Sequence, residues 1–241
     1  MTTSPLTTSD AGRRPAPSAA WGRAAFVVLV LATIAERALT LWHPDAPADG
    51  TFDYDVVAPM RETWWAFHFF GGVAVVMQSV SFVVAVCLLT RSRSVSWALA
   101  GATAYVLGAA AFGAGIAAEG VAFAYATDPA AISSPQGAQL LTFMGEHAGR
   151  YVVGILSGLV LVSLGTVALC IALLRTRAVP WIIPLVLLVG TAANIVLPFG
   201  FPAFLISTAT ITAPMVAIGW YAARMPDTAQ GTHGLPRTWR D

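Results

Sequence analysis

The chain has 241 residues, of which 57% are hydrophobic and only 10% are charged, and its formal net charge is +1. This composition offers too little polar surface for one or two soluble domains, so it predicts a single membrane domain with short tails. The basic side chains other than histidine are all arginine. The lack of lysine excludes a retinal-type pigment, which needs a lysine Schiff base.

Apolar segments of membrane-spanning length predict an all-α fold, a polytopic bundle of six transmembrane helices. We expect a disordered cytoplasmic tail over residues 1–20, the six-helix domain over 21–223 and a cytoplasmic tail over 224–241. The predicted helices are 21–42, 63–90, 95–125, 146–174, 179–197 and 203–223.

The first of these segments also resembles a signal peptide, because an apolar run follows basic residues. Its apolar character continues beyond Glu36 and Arg37 through Leu39, Leu41 and Trp42. We therefore favour a retained helix over a cleaved one.

The distribution of arginine predicts that both termini are cytoplasmic, since cytoplasmic loops carry an excess of positive charge. Ten arginines fall in the predicted cytoplasmic tails and turns: 13, 14, 23, 91, 93, 175, 177, 224, 237 and 240. Arg37, Arg61 and Arg150 lie within or beyond the outer half. This pattern predicts a multi-pass protein of the cytoplasmic (inner) membrane.

A short similarity suggests an internal repeat. Residues 91–97 (RSRSVSW) match residues 175–181 (RTRAVPW) at an offset of 84 residues, and Glu62 meets Glu146 at the same offset. A true repeat would relate helices two and three to helices four and five by an axis along the membrane normal. Positive turns followed by an interfacial tryptophan are also common in unrelated membrane proteins.

Titratable residues of the predicted spans converge on the leaflet away from the cytoplasm, where charge is costly and usually functional. We predict that ligand-binding residues are among Glu36, Arg37, His68, Glu119, Glu146, His147 and Arg150. Glu119 either meets headgroups at the rim or points inward.

The first two of these residues are adjacent. Because neighbours on a helix point about 100° apart, Glu36 and Arg37 are not expected to neutralise each other face to face. At least one should face the bundle, unless Arg37 extends towards the interface.

The other members of this group have simpler interpretations as well. Glu146 and Arg150, four residues apart, form an ordinary ion pair at a helix end if they share one helix. His68 lies in an aromatic run typical of a membrane interface. His43, His68 and His147 lack the spacing of known zinc motifs, so we predict no metal site and no cofactor.

Several polar and small residues are predicted to pack helices together. Glycines 101, 108 and 115 would allow close helix contact, and Gln78 is expected to bond another helix. Gly154 and Gly158 suit either a homodimer or packing within one chain. The expected partners are the lipid bilayer and a small amphiphilic ligand, with no nucleic acid.

The leading functional hypothesis is a polar pocket facing the outer leaflet that binds or moves a small amphiphile. An intramembrane enzyme is the alternative, in which Glu119 or Glu36 protonates an isoprenoid-like or lipid substrate. A third hypothesis is an accessory subunit of a membrane complex, docked through the acidic loop 43–62.

Two short stretches carry a family resemblance: residues 118–123 (AEGVAF) and residues 173–180 (LLRTRAVP). With them the chain resembles an uncharacterised bacterial six-helix integral membrane family, known only as a domain of unknown function, over most of residues 24–223. The resemblance implies that Glu119 matches the acid of a Glu-Gly pair in that family. The chain departs from it after Pro214, where an acidic residue is expected and residues 215–217 are Met-Val-Ala.

Overall fold

The computed structural model describes residues 17–42, 53–90, 94–150, 152–196 and 201–225. These residues form helices and turns with no strand, which confirms the all-α class. The helices are α1 Pro17–Trp42, α2 Tyr54–Val57, α3 Arg61–Leu89, α4 Val95–Ala126, α5 Ser134–Glu146, α6 Val152–Thr176, α7 Ile182–Val196, α8 Phe201–Ser207 and α9 Ala213–Ala223. Short 3-10 helices cover Ala58–Met60 and Ala148–Arg150, and a π-helical turn, Thr208–Thr212, joins α8 to α9.

Five segments of the described chain are long and apolar enough to cross a membrane, which indicates a multi-pass membrane protein. They are Ala19–Trp42, Tyr54–Leu89, Val95–Ala126, Val152–Thr176 and Phe204–Ala223. The predicted fifth helix appears as α7, which has 15 residues. At about 1.5 Å per residue α7 is shorter than the roughly 30 Å hydrocarbon core, so a sixth span is not confirmed.

The two ends of the bundle differ in charge. One end, here called the arginine end, carries Arg23, Arg175, Arg177 and Arg224. The first and last long helices meet there, since a Cβ at Gly22 of α1 would overlap the Ala222 carbonyl of α9. The opposite end, here called the α5 end, carries α2, α5 and the 3-10 turns.

Glycines let α4 pack closely against both α3 and α6, and the close contacts predicted at glycines 101, 108 and 115 are made with α6. A Cβ at Gly72 of α3 would lie 2.6 Å from the Gly113 carbonyl oxygen of α4. On another face of α4, a Cβ at Gly108 would lie 2.7 Å from the Gly158 carbonyl oxygen of α6. Gly158 therefore serves packing within the chain, and the homodimer remains a prediction.

A buried layer connects α1, α3, α4 and α9 in the middle of the bundle. The rings of Phe82 and Tyr105 lie 5.5 Å apart, and the Tyr105 hydroxyl lies 3.8 Å from the Met215 sulfur. One turn closer to the α5 end, the Gln78 amide donates to the Thr33 hydroxyl at 2.9 Å. Gln78 thus bonds another helix, as predicted.

Replacing Gln78 by leucine should cost little. Polar bonds between membrane helices contribute about 0.6 kcal/mol on average, because a freed hydroxyl finds another partner. We expect Gln78→Leu and Thr33→Val each to lower the free energy of unfolding by less than about 2 kcal/mol. Denaturant titration in mixed micelles measures this. A larger loss in each single variant, with a double variant that loses clearly less than the sum of the two, would show that this bond organises the bundle.

The α5 end holds a second core, here called the aromatic cluster. Its buried members are Val57, Trp64, Phe67, Phe123, Ala126 and Leu141. Trp64 stacks on Phe123, with ring centroids 6.2 Å apart, and this contact joins α3 to α4. Leu141 of α5 covers the cluster, and Gly137 of α5 packs so closely that a Cβ there would overlap the Ala126 carbonyl.

Three local predictions at this end need correction. Residues 126–145 lie between the predicted helices 95–125 and 146–174 and were therefore expected to form a loop, yet α5 begins at Ser134. Residues 43–62 were predicted to be an acidic loop, but the described part of this loop joins α3, and Tyr54–Leu89 forms one nearly continuous helical segment. The predicted fourth helix was to begin at residue 146, whereas α5 ends there and α6 starts at Val152. The predicted repeat is not confirmed.

Candidate ligand-binding site

Glu36 and Arg37 form an ion pair inside a membrane-spanning segment. The Arg37 Nε atom lies 2.6 Å from a Glu36 carboxylate oxygen, and only 13% of the Glu36 side chain and 23% of the Arg37 side chain are exposed. The expectation that these neighbours cannot neutralise each other is therefore wrong. Both side chains are long enough to bend towards each other around the helix, although their Cβ atoms diverge.

Arg37 also connects α1 to α8. Its guanidinium donates to the Ser207 hydroxyl at 3.1 Å and lies 5.4 Å from the centre of the Phe204 ring. The Thr40 hydroxyl donates to the Glu36 carboxylate at 3.1 Å. The prediction that at least one of the two charges faces the bundle is consistent with this arrangement.

The helix that Arg37 reaches is interrupted just beyond Ser207. The Ala213 N–H donates to the Thr208 carbonyl, five residues back, and Pro214 has no N–H to offer. The Ala209 carbonyl therefore lacks its usual helical donor. Such π-helical turns often occur at functional sites, and this one directly follows the residue that Arg37 contacts.

Glu119 is half-buried in α4, and no hydrogen bond or ion pair to it occurs among the described residues. It lies one helical turn beyond Gly115, on the side of α4 that packs against Ile155 of α6. The next residue, Gly120, faces α3 instead, where a Cβ would overlap the His68 side chain. Glu119 and His68 thus point to different neighbours.

His68 belongs to the aromatic cluster region. It is buried, its Nδ1 atom lies 2.8 Å from the Trp64 carbonyl oxygen, and its ring lies 5.0 Å from that of Phe67. This environment is that of a packed core histidine. Within the described ranges, no group of three His, Cys, Asp or Glu side chains is arranged to hold a metal ion.

The remaining predicted site residues lie around the end of α5. Glu146 is the last residue of α5, and it is exposed. His147 follows, and the ring of His147 stacks on that of Phe143 with centroids 4.1 Å apart. Arg150 lies in the 3-10 turn, so Glu146 and Arg150 do not share one helix and the predicted helix-end pair is wrong in that respect. His43 lies outside the described residues. Of the seven predicted site residues, the described chain brings Glu36 and Arg37 into contact with each other.

The described residues form a groove at the α5 end. It has a volume of about 390 Å³ and lies between the start of α3 and the end of α4. Its lining residues are Arg61, Glu62, Trp65, Val121, Ala124, Tyr125 and Asp128. Charged groups and aromatic rings therefore meet apolar side chains in one concave surface.

The lining of the groove was missed by the sequence analysis, which followed the charges buried deepest in the predicted spans. Val121 and Tyr125 lie four residues apart on one face of α4, with Asp128 just beyond the end of this helix, and on α3 Trp65 lies four residues after Arg61 and three after Glu62. That spacing was a usable signal. The sequence does not show that α3 packs against α4, and the groove depends on that contact.

A comparison with protein families matches residues 55–225, more than half of the chain, to the family described as Domain of unknown function (DUF4386). The chain belongs to the DUF4386 family. This confirms the resemblance to an uncharacterised family, although the DUF4386 match begins at residue 55 instead of near residue 24. The match includes every residue of the groove and leaves Glu36 and Arg37 outside it. No curated protein and no solved structure matches the chain.

Proposed function

We propose that this DUF4386 protein binds a small amphiphile in the groove at the α5 end. The supporting observation is the groove itself, which combines a charged rim with an aromatic and apolar wall in about 390 Å³. Sites for small ligands commonly have volumes of about 300–1,000 Å³ and a few placed polar groups among apolar ones.

The order of residues along α4 matches the shape of an amphiphile. Asp128 lies two residues beyond the end of α4, Tyr125 is the second-last residue of this helix, and Val121 lies one turn deeper. A polar head at Asp128 and Glu62 would place an apolar chain along Val121 and Ala124. Tryptophan and tyrosine prefer the membrane interface, so Trp65 and Tyr125 suit the boundary between head and chain.

The proposal also includes a location. The arginine pattern favours a cytoplasmic arginine end, so the groove would open on the opposite face of the inner membrane. The proposed activity is binding. Neither transport nor acid catalysis is favoured by a specific contact, because Glu36 and Glu119 do not line the groove.

The chain offers a matched pair of tryptophans to test this proposal. Trp65 in the groove and Trp97 at the other end of α4 are 42% and 41% exposed. We expect dodecyl-chain amphiphiles to remain bound in native mass spectrometry of the parent and of Trp97→Ala. Trp65→Ala should lose most of this adduct, because the wall beside the headgroup is removed. Equal adducts on all three proteins would refute the groove as the site.

A further inference from the structure

Building on the proposed function, we infer that the groove selects a single-chain amphiphile with a cationic headgroup, an amine or a quaternary ammonium. The argument uses the balance of charge on the rim, the partners of each charged group and the aromatic faces of the wall.

The rim carries two carboxylates and one guanidinium. The Glu62 side chain is 87% exposed, and the Arg61 Nε atom lies 3.6 Å from its nearest oxygen, beyond hydrogen-bond distance. Arg61 instead donates to the Ala58 carbonyl at 3.4 Å. One Asp128 oxygen accepts the Ala130 N–H at 2.9 Å. The rim thus has a net negative charge, and its carboxylates keep capacity to accept further bonds.

The aromatic wall of the groove also favours a cationic ligand. Tyr125 is 66% exposed, and Trp65 packs against Phe70 with ring centroids 6.2 Å apart, which supports its ring from one side. Aromatic faces attract ammonium groups and offer nothing comparable to an anion. A sulfate or phosphate head would meet Arg61 together with Glu62 and Asp128, and the net negative charge of this rim disfavours such a complex.

The size of the groove decides between two sources of a cationic head. A phosphocholine lipid of the bilayer carries a quaternary ammonium too, but it brings a phosphate and two chains. The volume of about 390 Å³ lies near the small end of ligand sites, which favours a single-chain cation.

Three amphiphiles with the same dodecyl chain test this inference: dodecyltrimethylammonium, dodecylphosphocholine and dodecyl sulfate. We expect the first to bind the full chain in a neutral detergent about tenfold more tightly than dodecyl sulfate, since one favourable cation–aromatic contact is of that order. Dodecylphosphocholine should bind between the two. Native mass spectrometry and a fluorescence titration measure these affinities.

The acids supply a matched control. Glu62→Gln with Asp128→Asn should abolish the preference for dodecyltrimethylammonium. Asp53→Asn with Asp55→Asn removes the same number of carboxylates at the same end, from residues that do not line the groove, and should leave the preference intact. A general effect of net charge would change both double variants alike and would overturn the inference.

The other outcomes are distinct. Equal or tighter binding of dodecylphosphocholine would make a phospholipid headgroup the ligand and overturn the single-chain cation. Equal or tighter binding of dodecyl sulfate would overturn cation selection and leave the amphiphile site standing, provided that Trp65→Ala weakens it. No binding of any of the three would overturn the proposed function itself.

Discussion

Arg37→Gln should lower the free energy of unfolding by about 3 kcal/mol, near the lower end of the range for a broken buried ion pair. The variant leaves the Glu36 carboxylate in a membrane-spanning segment without its guanidinium, and it also removes the bond to Ser207. Because the Arg37 side chain is partly exposed, we expect the loss of stability to lie at the lower end of that range. Unfolding in mixed micelles, followed by circular dichroism, measures the change.

The control removes both charges at once. Glu36→Gln combined with Arg37→Gln leaves no unpaired charge, so the double variant should recover at least half of the stability lost by Arg37→Gln. A double variant as unstable as Arg37→Gln alone would mean that the contact with Ser207 and Phe204 matters, and the charge of Glu36 does not.

Two adjacent glycines of α3 should respond in opposite ways to the same substitution. A Cβ at Gly72 would lie 2.6 Å from the Gly113 carbonyl oxygen, whereas a Cβ at Gly71 would meet nothing within 4 Å. Gly72→Ala should therefore cost about 1–3 kcal/mol through overpacking. Gly71→Ala should leave stability unchanged or raise it by up to about 1 kcal/mol, because alanine favours the helix.

The same unfolding assay compares the two glycine variants. Gly71 and Gly72 lie in the same helix and receive the same substitution. The difference between the two free energies of unfolding therefore isolates the contact between α3 and α4. Equal free energies of unfolding for the two variants would mean that α3 and α4 can move apart to accommodate a methyl group at Gly72, which would contradict the prediction.

The long helices were predictable because the membrane imposes one requirement on each of them, a run of apolar residues of sufficient length. Predicted bounds of 95–125 and 203–223 agree closely with α4 and with α8 to α9. Residues near the membrane boundary obey no such rule. The helix α5 buries Gly137 and Leu141 on a cluster assembled from other helices, and no local pattern reveals that cluster.

The candidate site was less predictable than the fold. Sequence reasoning found Glu36 and Arg37, since any charge far inside an apolar run is conspicuous. It could not predict that Arg37 reaches Ser207, which lies 170 residues further along the chain. It also missed the groove, because the charges of the groove lie at helix ends, where charged residues are common, and because the spacing of the lining residues does not show that α3 packs against α4.

The contact of α1 with α9 has a consequence for the biogenesis of the protein. Helices enter the membrane in the order of synthesis, and α3, α4 and α6 can dock on one another as soon as each emerges. Gly22 and Arg37, by contrast, find Ala222 and Ser207 only when nearly all of the described chain has been inserted. During translation the charges of α1 have each other as their nearest partner. The Glu36–Arg37 pair therefore lowers the free-energy cost of placing two charges in the membrane before α8 and α9 have been inserted.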